Sequence, residues 1–126
     1  MTKQEVSVAL HAQGYNCAQC VLMAMRDHTG LSEELSASVA AGFGGGAGCR
    51  ELCGALSGSF MAVGTVLGAD HRPQVQAADR EITAAFREKF GAVRCADLKA
   101  AGVPCDDLIA FAADKTESVL NQLKEE

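Results

Sequence analysis

The chain has 126 residues, of which 48% are hydrophobic and 21% are charged, a composition typical of one folded domain with a buried core. Its net charge of -5 and its lack of a lysine and arginine cluster argue against a nucleic-acid partner, because phosphate binding needs a basic surface. The polar first ten residues and the short apolar stretches predict a cytoplasmic protein without membrane insertion.

The sequence pattern is helical throughout and shows no sustained strand alternation. Residues 2–5 resemble a capping box, Asn16 and Ser32 are suited to cap later helices, and Pro73 and Pro104 mark two further helix starts. The predicted helical segments cover residues 2–11, 17–28, 33–41, 50–67, 74–90 and 105–123, with a short turn at 95–101. The fold class is therefore predicted as all-α, a single-domain bundle of five to six helices spanning residues 1–126.

The predicted helix over residues 50–67 is central and rich in glycine. Gly54, Gly58 and Ala62 recur at intervals of four and share one face. A glycine inside a helix costs about 1 kcal/mol relative to alanine. The stripe therefore indicates that another helix, or a bound group, approaches the backbone closely.

The glycine run over residues 42–48 is predicted to be a loop. GFGGGA formally matches a dinucleotide fingerprint, but the preceding segment is predicted to be helical, whereas nucleotide binding requires a strand there. Backbone N–H groups in such a turn favour anions, and a thiolate or a sulfide-rich cluster is an anion. The predicted cofactor-binding residues are Gly44, Gly45, Gly46, Gly54 and Gly58.

Six cysteines are the main chemical signal in the chain. They are Cys17, Cys20, Cys49, Cys53, Cys95 and Cys105. In a reducing compartment stable disulfides are uncommon, so metal binding or redox chemistry is favoured. All six are predicted at or near helix starts, where the positive potential stabilises thiolates. Cys49 and Cys53, four residues apart, are predicted to share one helix face. The known zinc spacings and the bacterial ferredoxin spacing are absent, and the three histidines are scattered.

Several sequence elements together carry a family resemblance. They are Gly14-Tyr15-Asn16-Cys17-Ala18-Gln19, Gly42-Phe43-Gly44-Gly45-Gly46, Cys53-Gly54-Ala55-Leu56-Ser57-Gly58, Phe90-Gly91 shortly before Cys95, and Cys105. From about Gly14 to Leu120 the chain resembles the redox-active protein family named for its cysteine pattern C_GCAxxG_C_C. The resemblance extends to a domain of split-Soret cytochromes, which carry haem and an iron–sulfur cluster. Covalent haem is not supported here, since Val21 follows Cys20 and C-x-x-C-H is absent.

The resemblance maps the family's four cysteines onto Cys17, Cys53, Cys95 and Cys105. They are predicted to converge on one site that holds an iron–sulfur cluster, with [2Fe–2S] favoured, or another soft metal for electron transfer with a redox partner protein. Cys20 and Cys49 are additions, either further ligands or resolving thiols.

Two alternatives remain open. In the first, the protein performs metal-free thiol–disulfide chemistry, with Cys17 as the attacking thiolate and Cys20 or Cys53 as the resolving thiol. In the second, it is an interaction module stabilised by zinc. A homodimer, in which two chains complete the site, is a further possibility for the assembly.

Overall fold

Eight α-helices make up most of the structure, a computed structural model that describes residues 1–125. The helices are α1 Lys3–Ala12, α2 Cys17–Ala24, α3 Arg26–Thr29, α4 Glu33–Ala40, α5 Gly54–Leu67, α6 Arg72–Phe90, α7 Cys95–Ala100 and α8 Cys105–Glu125. Residues 1–125 contain no strand, only an isolated antiparallel bridge between Leu52 and Arg94. The all-α fold class is therefore confirmed.

The predicted capping residues begin three of these helices. The Thr2 hydroxyl accepts a hydrogen bond from the Glu5 N–H (3.1 Å), and the Glu5 carboxylate accepts one from the Thr2 N–H (2.9 Å). Asn16 forms a second capping box with Gln19, and Ser32 caps α4 through the Leu35 N–H. These local signals are reliable because each bond joins residues only three positions apart.

The structure contains more helices than the five to six that the sequence predicted. The predicted helix over residues 17–28 is interrupted at Met25, whose φ of -92° and ψ of 12° lie outside the helical range, and α3 follows as a separate single turn. The short turn of helix predicted at 95–101 is present as α7 and adds to the number of helices.

The central helix begins later than predicted, at Gly54 instead of residue 50. Arg50 has a left-handed φ of 63°, and residues 51–53 are not helical. Their backbone is bonded to a distant segment, since the Cys53 N–H donates to the Val93 carbonyl (2.9 Å) and the Cys95 N–H donates to the Glu51 carbonyl (2.6 Å). The prediction that Cys49 and Cys53 share a helix face is consequently wrong.

Helix α5 lies at the centre and packs against α2, α6 and α8. Leu56, Ile82 and Phe86 are among the large side chains that are completely buried around it. The glycine stripe faces α2, since a Cβ atom on Gly58 would lie 2.6 Å from the Ala18 carbonyl oxygen. The predicted close approach to the backbone is thus a helix crossing. No helix of residues 1–125 is both long and apolar enough to traverse a bilayer.

Two glycines of α5 provide a matched test of this crossing. Gly58→Ala should lower the free energy of unfolding by roughly 1–3 kcal/mol, because the new methyl group overpacks a backbone contact that cannot yield. Gly64→Ala, where a Cβ atom would meet nothing within 4 Å, should raise it by about 0.5–1 kcal/mol through helix propensity. Urea unfolding followed by circular dichroism measures both. Equal effects of the two substitutions would contradict the tight crossing.

Candidate cysteine site

Four cysteines from the starts of four helices line one cavity of about 50 Å³. Cys17, Cys95 and Cys105 are the first residues of α2, α7 and α8, and Cys53 immediately precedes α5. These are the four cysteines that the family resemblance selected. A larger groove of about 280 Å³ beside Gln74 and Glu81 contains no cysteine. The cavity near the thiols is therefore the candidate site, and the role of its cysteines as ligands remains a prediction.

The rest of the cavity wall is mostly apolar. It consists of Gly45, Gly54, Leu98, Lys99, Val103 and Leu108. The sequence pattern alone did not point to the last four of these residues. Lys99 follows Cys95 by four residues, which places both on one face of the predicted helical turn. This spacing could have indicated that Lys99 lies near the site.

Long-range backbone bonds hold the cysteine-bearing segments together. The two bonds that join residues 51–53 to residues 93–95 fix Cys53 and Cys95 relative to each other. An ion pair between Arg94 Nε and Glu51 Oε2 (3.3 Å) lies beside them. On the other wall, the Val103 N–H donates to the Leu98 carbonyl (3.1 Å), which turns the chain after α7 towards Cys105.

Gly54 makes room for a thiol of the site. A Cβ atom at this position would collide with Cys17 Sγ and would lie 2.7 Å from the Phe43 carbonyl oxygen. No residue with a side chain fits here without moving either a sulfur atom or the backbone.

The five glycines predicted to bind a cofactor have different positions. Gly45 and Gly54 line the cavity. The others serve close packing: a Cβ atom on Gly44 would strike Asn16, one on Gly46 would lie 2.8 Å from Cys95 Cβ, and Gly58 contacts α2. Contact of these glycines with a cofactor remains a prediction.

The glycine-rich loop ends in an unusual turn over residues 45–50. Left-handed φ values occur at Gly45, Gly46 and Gly48, and also at two residues that are not glycine, Ala47 (61°) and Arg50 (63°). A left-handed residue with a side chain costs roughly 1–2 kcal/mol. Interactions of the surrounding structure must offset this cost, and the turn packs against α7, which carries Cys95.

The two additional cysteines do not line the cavity. Cys20 is completely buried, and its thiol donates to the Tyr15 carbonyl (3.5 Å). Cys49 is exposed, and its thiol donates to the Gly46 carbonyl (3.4 Å). The structure thus separates the four family cysteines from the pair that the sequence analysis left unassigned.

Burial controls the acidity of two thiols. Removal from water raises the pKa of Cys53 to about 12, and the neighbouring Cys17 and Cys95 add to the shift while the N–H groups of Ala55 and Leu56 oppose it. Burial likewise raises the pKa of Cys20 to about 12. At neutral pH both thiols are protonated in the metal-free protein, so neither is suited to be the thiolate that starts a disulfide exchange.

The different burial of the thiols predicts the order in which they react with iodoacetamide in the metal-free protein. Cys49 should react first because it is exposed, and Cys20 and Cys53 last because they are buried and protonated. Since their pKa is raised to about 12, the labelling rate of these two should rise about tenfold per pH unit between pH 7 and pH 9. Peptide mass spectrometry gives the rates, and early labelling of Cys53 at pH 7 would contradict its burial.

The spacing of the thiols differs from that of a single-metal site. A trio of possible metal ligands occurs among the described residues at Asp27, His28 and Glu117. Their ligating atoms all lie within 4.8 Å of one another. Lys3 already pairs with Asp27 (2.8 Å) and Glu117 (3.6 Å) in that trio, which makes it an ion-pair network. Four sulfurs around one zinc ion lie about 3.8 Å apart, as the Zn–S bond of about 2.3 Å requires. No three cysteine sulfurs of the described residues lie within 4.8 Å of one another.

The fold and the site define an all-α protein with four thiols around one small, mostly apolar cavity. The chain belongs to the C_GCAxxG_C_C family, whose model, described as "Putative redox-active protein (C_GCAxxG_C_C)", matches residues 15–119. The match confirms the family resemblance of the sequence. No curated protein and no solved structure matches the chain at a significant level.

Proposed function

We propose that Cys17, Cys53, Cys95 and Cys105 hold one iron–sulfur cluster, with [2Fe–2S] favoured, and that the protein exchanges electrons with a redox partner. The observation that carries the proposal is the convergence of these four thiols on one cavity. Four thiolates are the usual ligand set of such a cluster, which supplies a one-electron couple when it is bound.

The surroundings of the four thiols support this proposal. Each cysteine stands at a helix start, where the backbone N–H groups favour the thiolate that a metal ligand must be. Leu98, Val103 and Leu108 limit the access of water to the cavity. Solvent access is one of the factors that set the reduction potential of a cluster.

The spacing of the thiols favours a cluster over a single zinc ion. A zinc site would require at least three sulfur atoms to lie closer together than they do among the described residues. A cluster distributes its four ligands over more than one iron atom, so it accepts wider separations.

Metal-free thiol–disulfide exchange is the second candidate function. It is favoured by the partial exposure of Cys17 and by the position of Cys53 in the same cavity. The Cys17 thiolate would attack a substrate disulfide and form a mixed disulfide, and Cys53 would then release the reduced substrate as a Cys17–Cys53 disulfide forms. Burial raises the pKa of both Cys53 and Cys20 to about 12, so acidity does not distinguish the two candidate resolving thiols. Cys53 is favoured because it lines the cavity together with Cys17, whereas Cys20 does not.

The deciding experiment is a visible spectrum with iron, sulfide and zinc analysis on protein purified without oxygen. The proposal expects broad absorption between about 320 and 460 nm with equal amounts of iron and sulfide, as thiolate-ligated clusters produce. A colourless, metal-free protein would overturn it. Loss of disulfide reduction in Cys17→Ser would then support the second function, and one equivalent of zinc would support a zinc-stabilised module.

A further inference from the structure

We propose that Lys99 compensates the negative charge of the four-cysteine site and thereby favours the more negatively charged state of that site. Among the described residues that line the cavity, Lys99 is the one with a cationic side chain. The other members of the wall are the four cysteines, two glycines and three aliphatic residues. One cationic residue therefore lines a cavity whose wall also contains four cysteines.

The fold positions Lys99 on the same wall as Cys95. Both residues belong to α7, and their spacing of four places them one turn apart on one face. The chain reverses directly after this helix, because the Gly102 N–H donates to the Lys99 carbonyl (3.0 Å) and the Val103 N–H donates to the Leu98 carbonyl (3.1 Å). The backbone of Lys99 is thus part of the structure that brings Cys105 back to the cavity.

Lys99 forms no ion pair with a carboxylate among the side chains of residues 1–124. Lys3 and Lys115, by contrast, do form ion pairs with carboxylates. Arg94, the neighbour of Cys95 in sequence, pairs with Glu51 (3.3 Å) and Asp97 (3.6 Å) and does not line the cavity. The charge of Lys99 remains available to the thiols.

The consequence for electron transfer rests on the proposed function. Uptake of one electron from an external one-electron donor adds one negative charge to the site and requires no proton. The nearby ammonium group stabilises this added charge, so it favours the reduced state. Because Lys99 is exposed, water screens the effect to the size of a surface charge pair.

The first test compares the reduction potentials of three variants of the iron-loaded protein, titrated with dithionite and mediators. Lys99→Gln should lower the equilibrium constant for reduction roughly two- to fivefold, the range of exposed charge pairs. This corresponds to about 20–40 mV at 59 mV per tenfold. Lys99→Arg should retain the parent potential. Lys124→Gln removes the same charge about 28 Å along α8 from Cys105 and should have no effect.

The second test uses the metal-free protein and does not depend on a cluster. In a Cys49→Ser background, the rates of alkylation by iodoacetate, an anion, and by iodoacetamide, which is neutral, are measured at Cys17, Cys95 and Cys105. Lys99→Gln should lower the ratio of the iodoacetate rate to the iodoacetamide rate roughly two- to fivefold. Lys99→Arg and Lys124→Gln should leave this ratio unchanged.

The two tests separate this proposal from the proposed function. A rate ratio that Lys99→Gln leaves unchanged overturns the role of Lys99, whether or not the protein binds iron. A lowered ratio in a protein that contains neither iron nor sulfide supports the role of Lys99 while the proposed function fails. A loaded protein whose potential does not respond to Lys99→Gln also overturns the role of Lys99 and leaves the cluster proposal intact.

Discussion

Serine in place of any one of Cys17, Cys53, Cys95 and Cys105 should reduce the iron and sulfide content of the anaerobically purified protein at least tenfold. Loss of an outer-shell partner alone commonly costs about 10- to 100-fold in metal affinity, and loss of a ligand should cost no less. We expect this loss of iron and sulfide because each of these four thiols lines the cavity and no other cysteine does. Iron and sulfide analysis with the visible spectrum measures the effect.

The two remaining cysteines are the matched controls for this experiment. Cys49→Ser changes an exposed residue outside the cavity and should retain full iron content. Cys20→Ser should also retain it, because a serine hydroxyl can still donate to the Tyr15 carbonyl. Circular dichroism of each variant shows whether the helices are intact. An equal loss of iron in Cys49→Ser and Cys53→Ser would contradict a site made of the four family cysteines.

Gly54→Ala should both destabilise the protein and lower the iron content of the anaerobically purified protein. The new methyl group would collide with Cys17 Sγ and would lie 2.7 Å from the backbone oxygen of Phe43. Overpacking of this kind costs about 1–3 kcal/mol, which exceeds the gain in helix propensity of about 1 kcal/mol over most of that range. The collision is relieved most readily by movement of the Cys17 side chain, since the alternative is movement of the backbone. We therefore expect iron content to fall together with the free energy of unfolding.

Gly58→Ala distinguishes loss of the site from loss of stability. It overpacks the same pair of helices, but its methyl group meets the Ala18 carbonyl and the Val21 side chain instead of a thiol. This variant should be destabilised and should still bind iron when purified below its unfolding temperature. Normal iron content in Gly54→Ala, measured with the same procedure, would show that Cys17 is not held where the structure places it.

The helix starts were predictable because their signals are local. Thr2, Asn16 and Ser32 each bond to the backbone N–H three residues later, so a short stretch of sequence contains both partners of the bond. Met25 is the exception among the early helices, because no glycine or proline marks the interruption between α2 and α3.

The start of the central helix could not be predicted from local sequence. Residues 51–53 form hydrogen bonds with residues 93–95, about forty positions away, and those bonds keep the backbone before Gly54 out of the helix. The same bonds separate Cys49 from Cys53, which a continuous helix would have placed on one face. A periodic pattern describes only neighbours in sequence, so it contains no information on such pairings.

For the candidate site, the sequence by itself determined the family, because its motif elements are specific and extend over residues 15–119. The resemblance also selected Cys17, Cys53, Cys95 and Cys105 as the matching cysteines. Only the tertiary structure decided that these four share one cavity, that Cys20 and Cys49 lie outside it, and that Lys99 belongs to its wall. Burial, which raises the pKa of Cys53, is also a property of the packed helices. The physical reason is that a cavity is defined by which segments meet in space, and these segments are separated by up to about ninety residues of chain.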